Sequence, residues 1–162
     1  MNIKTDLSES LMEDKSRDII TWDDKYSIGI ELIDTQHKKL VGLTNHLYQA
    51  CLVNDASTET VFKESMSGLV EYVRFHFTTE IELLKRINYP ECHEHKKQHD
   101  ILIKQILDAA KSHDEGKKFV PNNLVRTLKD WILGHIALYD KQYALYVTEQ
   151  KRKGLLNDSQ LA

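Results

Sequence analysis

Turn-forming residues are scarce: the chain has six glycines and two prolines in 162 residues. An all-β fold with many tight turns would need more of both, so that class is excluded. Cysteine is scarcer still. Cys51 and Cys92 stand far apart without a CxxC pair and read as small, partly buried thiols rather than a disulfide or ligand pair. No apolar run approaches the length needed to cross a bilayer, and the polar stretch Met1–Ser10 has no signal-peptide core, so a cytoplasmic protein is expected. A net charge of −3 gives no electrostatic reason to expect nucleic acid or a membrane as partner.

Helical patterning and histidine are what the chain has in quantity. Hydrophobic residues make up 41% and charged residues 29%, the balance of one globular domain with a sizeable core. Residues 1–21 are mostly polar and aperiodic and are expected to form an N-terminal extended arm. Trp22, Tyr26, Ile28 and Ile30, with a bend at Gly29, should strap across the domain. A first helix is predicted from Asp34, a good N-cap residue, to about Val53, with His37, Leu40, Val41, Thr44, Leu47, Tyr48 and Cys51 facing inward. Asn54–Ser57 reads as a turn. The second helix carries Phe62, Met66, Leu69, Val73, His76, Glu80, Leu83 and Ile87 at alternating steps of three and four.

Asn88-Tyr89-Pro90 ends that helix. A third, from about Glu91 to near Gly116, presents Cys92, His95, His99, Leu102, Ile106 and Ala109. Pro121 suits the first turn of a fourth helix reaching about Lys151, with an inner stripe of Leu124, Leu128, Trp131, His135, Leu138, Gln142 and Leu145. Four long helices with short links predict an all-α, up-down-up-down antiparallel four-helix bundle over residues 22–154, followed by a short tail over 155–162.

Ionisable residues interrupt these apolar stripes in a pattern. His76-Phe77-Thr78-Thr79-Glu80 and His95-Lys96-Lys97-Gln98-His99 each place two metal-capable side chains one helical turn apart. Counting rises brings them to one height. His99 lies thirteen residues before Ser112 and His135 fourteen after Pro121, about 20 and 21 Å along antiparallel neighbours. Glu80 lies seven residues before Ile87 and His99 eight after Glu91, about 10 and 12 Å. His37 lies near the same end of the bundle. His46 points away from His37, His93 has no partner one turn on, and His113 lies fourteen residues beyond His99, so these three read as surface or helix-end histidines.

The remaining set is His37, His76, Glu80, His95, His99, His135 and Asp140. Seven donors exceed one tetrahedral zinc and are not the all-oxygen shell that calcium or magnesium prefers. Five imidazoles and two carboxylates suit a pair of first-row ions with the carboxylates bridging. Asp140 is the outlier, five residues after His135 and about 140° around a regular helix. Either the ions sit between the two directions, or the helix is distorted there, or Asp140 is a salt-bridged or solvated surface carboxylate.

These residues resemble the hemerythrin family, in particular its single-domain bacterial members. The likeness runs from about Trp22 to Tyr146: Trp22, Tyr26 and Gly29 before Ile33-Asp34-Thr35-Gln36-His37, the two histidine stretches flanking Tyr89-Pro90, and Trp131 with His135-Ile136-Ala137-Leu138-Tyr139-Asp140. Ile81 and Leu84 depart from the common pattern without touching a candidate ligand. The resemblance implies two non-haem iron ions, one held by His95, His99 and His135 and the other by His37 and His76. Glu80, Asp140 and an oxo or hydroxo group would bridge them. O2 is then expected to bind reversibly at the open position of the two-histidine iron, in an oxygen carrier or store rather than an enzyme, with at most weak peroxidase or oxidase activity. Reversible binding needs a dry, apolar pocket, which Phe77, Leu102, Ile103 and Trp131 are spaced to line. A monomer is expected. The competing readings are an O2-sensing module acting through an unidentified protein partner, a di-iron oxidase or peroxidase, and iron or nitric oxide handling. The Glu-x-x-His motif of ferritin-like oxidases is absent, since no histidine has a glutamate three residues upstream.

Overall fold

Four runs of apolar residues at three- and four-residue spacing become four helical rods. The structure, a computed structural model, describes residues 18–52, 58–117 and 120–162. The turn expected over Asn54–Ser57 and most of the arm expected over 1–21 lie outside the described residues. Helices α1 (Glu31–Leu52), α2 (Thr58–Arg86) and α3 (Cys92–Asp114) are followed by a rod made of α4 (Val120–His135), a π turn (Ile136–Asp140) and α5 (Lys141–Arg152). Each rod packs against two neighbours, α1 on α2, α2 on α3, α3 on α4 and α4 on α1. No strand occurs among the described residues, and no helix of theirs is long and apolar enough to cross a membrane.

The helix ends follow local chemistry. Asn88 takes a positive φ of 52°, and the Tyr89 and Asn88 amides donate back to the Leu84 and Lys85 carbonyls, a Schellman ending for α2. Gly116 and Gly154 close α3 and α5 in the same way.

Two expectations need correction. α1 starts at Glu31, not Asp34. Asp34 lies inside the first turn, where its carboxylate accepts hydrogen bonds from the Ile28 and Gly29 amides (2.8 and 3.1 Å) and the Ser27 hydroxyl (2.5 Å). It ties down the incoming strap instead of capping the helix. Ahead of that strap, Asn45 clamps the backbone of Ile20 from both sides, accepting at 3.0 Å and donating at 2.8 Å.

The second correction concerns the last rod. The predicted inner stripe holds through His135 and then fails, because Leu138 is 63% and Leu145 71% exposed. The buried positions are Ile136, Asp140, Tyr143 and Val147. A π turn closes i→i+5 bonds and takes up one more residue than an α turn, so later side chains rotate relative to a regular helix.

The core divides into two apolar clusters. The larger includes Leu40, Val41, Val73, Phe77, Leu102, Leu128 and Ile132. The smaller includes Ile33, Leu83, Leu84, Ile87, Tyr143, Val147 and, from the chain's last residues, Leu161. Each fully buried leucine or isoleucine contributes about 1.5–3 kcal/mol. Where the two clusters meet, the rods carry buried ionisable residues: His37 between Ile33 and Leu40, Glu80 between Phe77 and Ile81, Asp140 between Ile136 and Tyr143.

Candidate metal centre

All seven predicted donors come together in this layer, and none is more than 4% exposed. The Nε2 atoms of His99 and His135 lie 3.1 Å apart, and those of His95 and His135 3.2 Å apart. Glu80 Oε2 is 3.1 Å from His99 Nε2 and 3.3 Å from His95 Nε2. On the other side, the His37 and His76 rings meet edge to face at 4.9 Å, with His76 Nε2 3.8 Å from the same Oε2. Two donor groups result, Glu80 with His95, His99 and His135, and Glu80 with His37 and His76.

Asp140 spans both groups. Its Oδ1 lies 3.1 Å from His135 and 3.5 Å from His95, and its Oδ2 lies 3.2 Å from His37. The π turn makes this reach, because i→i+5 closure stacks Asp140 beneath His135, where a regular helix would turn it aside. His46 and His93 are exposed, and His113 is partly buried against Glu59 and Phe62 at the far end of the bundle.

A cation suits this donor set. His135 Nε2 faces the Nε2 atoms of both His99 and His95, at 3.1 and 3.2 Å, and no single proton can satisfy all three lone pairs. Both oxygens of Asp140 and both ring nitrogens of His37 lack hydrogen-bond partners among the described residues. Two buried carboxylates without a compensating charge would each cost several kcal/mol. Donors about 2.1 Å from an ion sit about 3.0 Å apart at right angles and about 3.4 Å apart in a tetrahedron. The His99–His135 separation of 3.1 Å and the His95–His135 separation of 3.2 Å fall within this range of donor spacings around one ion.

Protonation follows the same logic. Burial drives the His76 imidazole down to about 4, so it is neutral and its lone pair is free. Burial lowers His99 as well. Burial also acts against a proton on His37, but Asp140 at 3.2 Å, with Glu80 and Asp34 beyond, outweighs it and the net shift is upward. Burial opposes ionisation of Glu80, yet the surrounding histidines hold it well below the usual carboxylate range.

The outer contacts differ between the two groups. Phe77 stacks flat on His99, 3.7 Å between centroids at 2°, and Trp131 stacks on His135 at 4.2 Å and 12°. His76 Nδ1 instead pairs with Gln36 Oε1 at 2.9 Å. Leu102 is fully buried in the larger cluster, while Ile103 is half-buried along a groove of about 260 Å³ between α2 and α3 that reaches Phe77 and His99.

Two contributors escape the sequence reading. Gln36 adjoins His37 but serves His76 on another helix, forty residues away. Tyr143 is wholly buried and donates from its hydroxyl to Glu80 Oε1 at 2.5 Å. A stripe drawn through Asp140 rather than Leu138 would have found Tyr143 and Val147 in register.

The bundle and its layer of buried histidines and carboxylates define a helical protein with an internal site able to hold metal. The Hemerythrin HHE cation binding domain matches residues 28–146, and the chain belongs to the hemerythrin family. It is 30% identical over 126 residues to the bacteriohemerythrin of Stenotrophomonas maltophilia, covering 78% of this chain and 80% of that protein. The bacteriohemerythrin of Pseudomonas aeruginosa is 30% identical over 124 residues, covering 76% and 78%. A crystal structure of wild-type hemerythrin superposes with a TM-score of 0.71 at 25% identity, over 78% of this chain and 95% of that one.

Proposed function

We propose that this chain binds O2 reversibly at a pair of non-haem iron ions, as a carrier or store and not as an enzyme. The observation that carries the reading is the asymmetry of the donor set. Three histidines converge on one side and two on the other, while Asp140 offers one oxygen to each side and Glu80 adjoins both. His95, His99 and His135 would hold one ion, and His37 and His76 the other. Iron at this pair supplies the reversible electron donation that O2 binding needs. The side with fewer protein donors leaves room for a small ligand.

The chain's own residues do the rest. The ionised carboxylates of Glu80 and Asp140 offset part of the ions' charge, and the neutral His76 offers its lone pair. Phe77, Leu102 and Trp131 shield the centre from water and reductants, and Ile103 narrows the groove that reaches Phe77 and His99, so that O2 leaves unchanged. The functional unit is the bundle over 22–154, flanked by the arm over 1–21 and the tail over 155–162, and it acts as a monomer without nucleic acid or membrane.

Metal analysis and the visible spectrum of the reduced protein, before and after air, test this reading. About two irons per chain are expected from the donor count, with an absorption band that appears with O2 and vanishes on its removal. Zinc in place of iron, or no band in air, overturns it.

A further inference from the structure

Four aromatic side chains touch the histidine layer: Phe77, Trp131, Tyr139 and Tyr143. Among the described residues, only Tyr143 also donates a hydrogen bond to one of its carboxylates. Its ring packs edge-on to His95 at 5.5 Å and to Tyr89 at 6.1 Å, within the smaller apolar cluster. Phenylalanine would fill that space as well. A wholly buried hydroxyl is costly unless bonded, and the partner of this one is Glu80 Oε1 at 2.5 Å. The bond leaves Oε2 as the oxygen that faces His76, His95 and His99.

We propose that Tyr143 is a positioning residue that fixes Glu80 with Oε2 toward the ions and draws charge from it, holding the centre in its reduced, O2-binding form. The inference rests on the di-iron reading. An oxidised ion gains more than a reduced one from an electron-rich carboxylate. A charge-assisted hydrogen bond to that carboxylate weakens it as a donor and so favours the reduced ion. Loss of the bond therefore lowers the midpoint potential.

The test is a potentiometric titration of the iron-loaded full chain, with iron content measured first. Tyr143→Phe keeps the ring and removes only the hydroxyl. Its potential should fall while its iron content stays that of the wild type, and its O2-dependent band should fade faster in air. Tyr89→Phe, which alters the neighbouring ring but touches no donor, should leave the potential unchanged. Should Tyr143→Phe fail to hold iron, a fluorinated tyrosine at position 143 decides the matter. A fluorinated phenol at the same wholly buried place, 2.5 Å from Glu80 Oε1, is the stronger hydrogen-bond donor. Its potential should rise. An unchanged or raised potential in Tyr143→Phe, an equal fall in Tyr89→Phe, or no rise with the fluorinated ring overturns the inference. A wild-type chain that takes up no iron overturns the di-iron reading, and this inference with it, before any potential is measured.

Discussion

The two sides of the histidine layer are built differently. The three-histidine side is clamped by stacking, with Phe77 flat on His99 and Trp131 flat on His135. The two-histidine side has, among the described residues, one directed hydrogen bond, from His76 Nδ1 to Gln36, and otherwise relies on burial. Flat stacking restrains a ring's tilt but leaves its donor strength almost untouched. A hydrogen bond to the outer nitrogen fixes the tautomer and raises the basicity of the nitrogen that faces inward. One side is thus held for rigidity and the other is tuned, and the tuned side is the one with fewer protein donors.

The strongest way to break this comparison is to disturb the residue both sides share. Inserting an alanine after Leu138 should turn Asp140, Tyr143 and Val147 by about 100° away from the layer. Metal content should fall to background on both sides. Deleting Leu138 should do the opposite, since a regular helix then carries the carboxylate four residues after His135, on the same face. Metal analysis of the two variants, with circular dichroism to confirm equal helicity, checks this. Metal retained after the insertion would show that Asp140 is dispensable.

The next test separates the sides. Gln36→Ala should weaken metal binding on the two-histidine side by about 10–100-fold and leave the other side intact. Trp131→Ala should act on the three-histidine side alone, with a loss of about 0.5–1.5 kcal/mol for the stacked pair beyond its buried area. A calorimetric metal titration resolves the two steps. If both variants weaken the same step, the division between stacked and hydrogen-bonded sides is wrong.

Acid sharpens the comparison in the metal-free chain. His76 falls from 6.5 to about 4 on folding, so the unfolded chain binds its proton first as pH drops. Stability from His76 is present above 6.5 and is lost between there and about 4, a change of about 3 kcal/mol. Glu80, also lowered, loses stability in the same direction at lower pH. His37 is raised, so its contribution is present below 6.5 and is lost as pH rises through its folded value. Urea midpoints of the metal-free protein should therefore peak near neutrality and fall toward pH 4.5. A midpoint that climbs on acidification would contradict the neutral state of His76.

The smallest effect marks the edge of the site. His46→Ala touches neither side, since His46 is exposed and, among the described residues, pairs with Ser65 at 3.1 Å. Metal content should be unchanged and stability within about 0.5 kcal/mol, and any loss of metal would mean that the layer extends beyond the seven donors.

Legibility followed periodicity. α2 keeps a regular α-helical period from Phe62 to Ile87, and every position of its predicted stripe is buried. The same regularity carried His95 and His99 on α3 and His37 on α1. It failed where the backbone departs from 3.6 residues per turn. A straight continuation past His135 picked out Leu138 and Leu145, which face solvent, and passed over Tyr143. Asp34, chosen as an N-cap by residue type, holds the strap because the chain before it folds back over the first turn.

The sequence by itself determined which side chains share a layer, because helical rise and antiparallel order convert residue counts into heights. It determined the bundle for the same reason. Only the tertiary structure decided how those side chains are aimed. Asp140 reaches both sides through a π turn, Gln36 meets His76 from another helix, and Tyr143 finds Glu80 across sixty-three positions of chain. Such contacts depend on the angle at which one helix presents a side chain to the next. Spacing along one helix carries no information about that angle.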